Sequence, residues 1–136
     1  MARIICIDYG GKRTGIAVTD PLQIIATALT TVPTNTLLAY LQQYIQQESV
    51  ERILIGEPKH LDDSNTDATY MVHGFVKVLQ KHFPTIPVEM VDERYTSKLA
   101  SQSMIAMGMK KKDRQQKGNV DQIAATIMLQ EWLANR

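Results

Sequence analysis

The chain has one cysteine, and a single thiol can neither close an internal disulfide nor build a thiolate metal site. Cys6 stands inside an apolar run and reads as a small buried hydrophobe. Histidine is scarce too. His60, His73 and His82 lack metal-ligand spacing, which argues against zinc, and His73 reads as a half-buried helix residue. No apolar stretch approaches membrane-spanning length and no leader pattern opens the chain, so the expectation is a cytoplasmic protein with no membrane role. The net charge of +1 does not announce a nucleic-acid binder, and leaves that question to local patches. There is no serine-centred nucleophile elbow, and Gly10-Gly11-Lys12 lacks the spacing of a phosphate-binding Walker loop. Repeats, low-complexity segments and linkers are also missing. What is present is ordinary: 136 residues, 44% hydrophobic and 21% charged, enough for one domain over 1–136 with a real core.

That domain is organised around residues 3–20. Ile4 to Ile7 suits a strand buried on both faces. A period of two puts Asp8 on the face of Ile4 and Cys6, and Tyr9-Gly10-Gly11 then turns the chain into a second strand, Thr14 to Thr19. Ile24 to Val32 reads as a third strand, giving an antiparallel meander. Pro33-Thr34-Asn35 starts a helix whose stripe is Leu37, Leu38, Leu41, Tyr44 and Ile45. Arg52 to Gly56 is a fourth strand. A helix capped by Thr66 or Asp67 follows, with stripe Ala68, Met71, Val72, Phe75 and Leu79. Val88 to Glu93 is a fifth strand, and a helix runs from near Thr96 to Met107. Asn119 caps a last helix, Val120 to Leu133, in which Asp121 shares a face with Ala124, Ala125 and Met128. Strands alternating with helices favour parallel pairing, so the expected class is α/β with a mixed sheet.

Asp8, Glu57 and Asp92-Glu93 all close strands, and Asp121 begins a helix. In parallel-type sheets ligands gather outside the carboxyl ends of the strands. Clustered carboxylates repel and call for a proton or a cation, and oxygen donors suit Mg²⁺ or Mn²⁺. Each residue also has a plainer use. Asp8 beside two glycines can be a turn former, Glu57 before Pro58 an exposed turn residue, and Asp121 a partner of the helix dipole. Asp92 and Glu93 alternate faces, so one site cannot take both through a regular strand.

Cations flank these positions. Lys12 and Arg13 follow the glycine turn, Arg94 follows Glu93, and Lys110, Lys111, Lys112, Arg114 and Lys117 precede Asp121. Such residues hold backbone phosphates without reading sequence, although a lysine run can equally be a solvated loop. Tyr9 and Tyr95 offer rings for base stacking, with core packing as the alternative.

Four stretches together carry a family resemblance. They are Asp8 to Asp20, Ile55-Gly56-Glu57-Pro58, Val91 to Ser97, and Asn119 to Ala125 with Leu129-Gln130. In order and spacing they resemble the YqgF family, also called RuvX, over essentially the whole chain. Its members are small bacterial RNase H-like proteins assigned as Holliday junction resolvases and as nucleases maturing the 5′ end of pre-16S rRNA. The resemblance implies a five-stranded sheet in order 3-2-1-4-5. It also implies metal-binding catalytic roles for Asp8, Glu93 and Asp121. Glu57 departs from many family members, which carry an uncharged residue there. Related resolvases keep a Glu at the end of strand four, so Glu57 is either a fourth ligand or a neighbouring charge. Thr96-Ser97 replaces the family's Thr-Thr.

The expectation is a metal-dependent nuclease acting on structured nucleic acid, with pre-16S rRNA favoured over a DNA junction on the resemblance alone. A non-catalytic nucleic-acid-binding assembly factor stays open beside it. An ATP-binding module also begins with Asp-x-Gly on a strand, but needs two such domains. Monomer and homodimer are both open.

Overall fold

Ile4, Ile5, Cys6 and Ile7 are all buried, because the strand they form lies in the middle of a sheet covered on both faces. The computed structural model describes residues 2–57, 67–92 and 117–136. Its elements are β1 (Arg3–Asp8), β2 (Arg13–Thr19), β3 (Ala26–Pro33), a 3₁₀ turn (Thr34–Thr36), α1 (Leu37–Gln47), β4 (Val50–Glu57), α2 (Asp67–His82), β5 (Val88–Asp92) and α3 (Lys117–Asn135). The sheet order is β3-β2-β1-β4-β5. β1 pairs antiparallel with β2, and β2 with β3, while β1–β4 and β4–β5 are parallel. This is the mixed α/β sheet that the residue pattern predicts.

Strand alternation sorts the core into two layers. Ile5, Ile7, Ile16, Val18, Ile53 and Ile55 pack with Leu37 and Leu41 of α1 and Val72, Val76 and Leu79 of α2. Ile4, Cys6, Ala17 and Leu54 face the other way and pack with Ala125, Met128 and Leu129 of α3. Burial of one such aliphatic side chain is worth about 1.5–3 kcal/mol. A slip of one residue in β1 would exchange the two sets, so the register is firmly held.

α3 runs opposite to β1. Its last turns lie by the start of the sheet, where Leu133 and Ala134 line a cavity with Ile24, Ile25 and Ala26, and Arg136 bonds the Gln23 carbonyl oxygen at 2.9 Å. Its first turns therefore lie toward the end of β1. At about 1.5 Å per residue, α3 climbs roughly 18 Å from Leu133 to Asp121. β1 climbs roughly 13 Å from Ile4 to Asp8.

Several boundaries differ from the sequence reading, for local reasons. β3 starts at Ala26 rather than Ile24, because the Asp20 carboxylate accepts the backbone N–H groups of Ile24 (2.7 Å) and Ile25 (2.8 Å). Pro33 ends β3, and a 3₁₀ turn intervenes before α1 begins at Leu37. In α2, Met71 is 47% exposed and Val76 takes the buried position instead. α3 is already helical at Lys117, so Asn119 is inside its first turn rather than capping it. First-turn N–H groups have no intrahelical acceptor in any case, so Gly118 and Asn119 are tolerated there. Thr66 and the expected helix from near Thr96 to Met107 lie outside the described residues.

Candidate active site

Asp8 is the last residue of β1 and is half-buried, engaged by a neighbouring group. It aligns with Gly15 of β2. On its other side Ile7 aligns with Ile55 of β4, which brings Gly56 next to Asp8. Neither glycine carries a side chain across the strand end, so the carboxylate is flanked by bare backbone.

The turn after Asp8 is tied down by two threonines. A Cβ on Gly10 would lie 2.3 Å from the Arg13 carbonyl oxygen, so the chain can only close there without one. The Thr34 hydroxyl donates to the Gly10 carbonyl at 2.6 Å, the buried Thr14 hydroxyl lies 2.9 Å from Thr34, and the Gly10 N–H donates to Thr14 at 3.4 Å. The Thr34 N–H donates to the Lys12 carbonyl at 2.9 Å. Three segments thus hold one turn, which projects Lys12 into solvent while Arg13 enters β2 half-buried. Tyr9 takes the core-packing role. It packs against Phe75 with centroids 5.0 Å apart.

The face on which Ile4 and Cys6 lie is the face covered by α3. Asp121 falls one helical turn before the buried Ala124 and Ala125. The small alanines let α3 lie close on the sheet, and the helix direction brings the backbone of Asp121 to the end where β1 finishes. Lys117 opens the same helix.

Glu57 belongs to the opposite face. It continues the parity of Ile53 and Ile55, which pack under α1 and α2. Its carboxylate lies 2.6 Å from His73 Nε2 on α2 and is the more buried of the two. His73 is half-buried as expected; that it meets Glu57 is not readable from helical spacing. Asp92 aligns with Glu57 in the β4–β5 ladder. Glu93, Arg94, Tyr95, Lys110, Lys111, Lys112 and Arg114 lie outside the described residues. Among the described residues no group of three or more His, Cys, Asp or Glu side chains converges as a ready metal cluster.

Thr14 and Thr34 are the supports of this turn that sequence reasoning missed, and His73 is the partner it did not foresee for Glu57. Thr34 stands directly after Pro33, where a helix-start role uses it up, and its true partner is 24 positions away.

Sheet order, strand polarity and the helix laid across one face define an RNase H-like protein. A solved structure titled "T. thermophilus RuvC in complex with Holliday junction substrate" matches over 99% of this chain and 96% of its own, with a TM-score of 0.61 and 15% identity, a likeness of fold. The chain belongs to the RuvX family, whose model is described as "Holliday junction resolvase" and matches residues 2–135. Relatives include a protein of Christiangramia forsetii, 54% identical over 133 residues, covering 98% of each chain. Another, from Bacteroides fragilis, is 54% identical over 136 residues, covering 100% of this chain and 99% of its own. A third, from Flavobacterium johnsoniae, is 52% identical over 136 residues with the same coverage. All three carry the name "Putative pre-16S rRNA nuclease".

Proposed function

We propose that this chain is a metal-dependent nuclease that hydrolyses phosphodiester bonds in structured nucleic acid and trims the 5′ end of pre-16S rRNA. It is a hydrolase acting on ester bonds, as its family is. The observation that carries the reading is the end of β1. Asp8 closes that strand on the α3-covered face, and α3 delivers the backbone of Asp121 to the same end.

The catalytic set is Asp8, Asp121 and Glu93. Glu93 is the next residue after β5 in the chain and has the sequence parity of Val91, which packs with the α3-facing cluster. Glu57, bonded to His73 on the far face, stays outside this set. The donors are all carboxylate oxygens, and the soft donor nearest in sequence, Cys6, is buried inside the sheet. That chemistry fits Mg²⁺ or Mn²⁺. When bound, such an ion polarises the scissile phosphate and makes water a better nucleophile. Asp8 and Asp121 would hold it from a rigid strand and a rigid helix, so the carboxylates need little reorganisation.

The chain's cations do the rest. Lys12, on its tied turn, meets a backbone phosphate beside Asp8. Arg13, Arg94, Lys110, Lys111, Lys112, Arg114 and Lys117 extend that contact, giving affinity that falls with salt. No described helix is long and apolar enough to cross a membrane, and a cytoplasmic role beside ribosomal RNA suits this reading. A second reading, cleavage of a four-way DNA junction, is favoured by the description of the matching family model. Symmetric cutting of a junction calls for a two-fold dimer.

The deciding experiment offers labelled pre-16S rRNA 5′ ends and four-way DNA junctions to the wild type and to Asp8→Asn, with Mg²⁺, Mn²⁺ or chelator. Metal-dependent cutting of the RNA that disappears in Asp8→Asn is the expected result. Equal binding by both proteins with no cutting of either substrate would replace the nuclease with a non-catalytic assembly factor.

A further inference from the structure

The end of the molecule away from Asp8 carries three large aliphatic side chains in solvent. Leu22 is 56% exposed, Ile24 68% and Ile25 62%. Loose loops often expose such residues, but this segment is held in one shape. The Asp20 carboxylate accepts the N–H groups of Leu22 (3.1 Å), Ile24 and Ile25, and the Gln23 N–H donates to the Asp20 carbonyl at 2.9 Å. Gln23 adopts φ 59°, a left-handed conformation that a side-chain-bearing residue keeps only where its surroundings demand it. Its amide donates to the Ala2 carbonyl at 2.9 Å, and Arg136 grips its own carbonyl. The aliphatic groups are therefore presented, with little ordering entropy left to lose on docking.

We infer that this patch is a self-association surface whose occupant is the same patch on a second copy of the chain. The patch has both halves of a self-complementary contact. Leu22, Ile24 and Ile25 project, and beside them lies an open cavity of about 420 Å³ lined by Ile24, Ile25, Ala26, Gln130, Leu133 and Ala134. A two-fold axis through the patch lets the projection of each copy enter the hollow of the other, as an isologous interface requires. Next to it no described strand pairs with the outer edge of β3, and the exposed Thr27 and Ala28 are small enough for a second backbone to approach.

Charge decides between occupants. Residues 21–47 contain no Asp, Glu, Lys or Arg. Within that segment a nucleic acid has no cation to meet, and Arg136 on its rim is already bonded to the Gln23 side chain and carbonyl. Two copies of one segment place identical side chains opposite each other, and a charged strand would repel itself. Natural edge strands use charges to prevent such pairing, and β3 has none. This inference does not depend on the nuclease reading, since it uses no residue of the Asp8 end.

The test is sedimentation velocity of the full chain over a concentration series, without nucleic acid, at low and at high salt. The wild type is expected to move from the mass of one chain to that of two, equally in both salts. Ile24→Asp combined with Ile25→Asp is expected to stay at one chain while keeping the wild-type circular dichroism spectrum. Should that pair fail to fold, Leu22→Asp alone gives the same reading. A wild type that remains a single chain throughout overturns the inference. So does a dimer that survives these substitutions in folded protein, or one that high salt dissolves.

Discussion

The two ends of β1 use opposite chemistry. At its close, Asp8 stands beside a turn that carries Lys12 and Arg13, and Lys117 and Asp121 begin the helix that arrives there. At its start, the uncharged segment from residue 21 shows aliphatic side chains to solvent. Both ends are stiffened by the same device, in which a polar side chain captures the backbone of a turn. Thr34 and Thr14 hold the turn at Gly10, and Asp20 holds the turn at Gln23. Rigidity alone therefore does not mark a site. What differs is what the rigid turn displays, a cation beside the Asp8 carboxylate or apolar surface.

Separating the two ends gives the largest expected effect. Groups that merely support a metal ligand typically cost 10–100-fold on removal. On the proposed reading Asp8→Asn removes a ligand itself, so cleavage should fall by more than about a hundredfold, with binding of the RNA end kept. The pair Ile24→Asp and Ile25→Asp should leave the single-chain cleavage rate unchanged. Single-turnover assays on both proteins check this, and a comparable loss in the second would show that the ends are not independent.

Next come the glycines of the turn after Asp8. Gly10→Ala puts a Cβ against the Arg13 carbonyl, which is backbone and cannot swing aside. It should destabilise by about 1–3 kcal/mol, in the range of an overpacked site, and slow cleavage as the turn shifts. At Gly11 the nearest atom to a new Cβ is the Met71 methyl at 3.6 Å, an ordinary contact, so Gly11→Ala should be nearly silent. Denaturant titrations of the two variants make the comparison, and equal losses would refute the close-approach account. Thr34→Val should cost about 1–3 kcal/mol, since it strips the Gly10 carbonyl of its donor and leaves the buried Thr14 hydroxyl short of a partner.

These cases show where sequence reading reaches and where it stops. The run Ile4 to Ile7 and the small pair Ala124-Ala125 made the two-layered sheet legible, because burial there follows from strand and helix periods. Asp8 was legible as a strand end on the Cys6 face for the same reason. The pairs Thr34–Gly10 and His73–Glu57 were not, since they join segments whose spacing in space depends on the whole topology. Ile24 and Ile25 were misread as strand because apolar β-branched residues favour strands. The competing hydrogen bonds from Asp20 are a local override that propensity does not contain.

A smaller effect sharpens the charged end. If Lys12 holds one phosphate, Lys12→Gln should weaken binding of every nucleic acid alike and reduce the slope of log affinity against log salt by about one. Filter binding at several salt concentrations measures it. An unchanged slope would remove Lys12 from the contact.

The smallest effect falls at the other end, and acid reveals it. The Asp20 carboxyl is held below its ordinary value of 3.8, first by the Ile25 N–H, with desolvation opposing, and then by the N–H groups of Ile24 and Leu22. A carboxylate with a lowered folded pKa stabilises the native state fully above its unfolded value. That contribution disappears as pH falls from about 3.8 through the lower folded value. The wild-type melting temperature should therefore drop more steeply in that window than that of Asp20→Asn, which has no charge to lose. Because Asp20 lies at the surface and is only partly buried, the difference should be small, and its clearest sign would be local: amide exchange at Ile24 and Ile25 accelerating in acid relative to amides of β1. Parallel acid curves for the two proteins, with no local acceleration, would mean that the carboxylate's charge does not hold this turn. The fixed display of Leu22, Ile24 and Ile25 would then need another source.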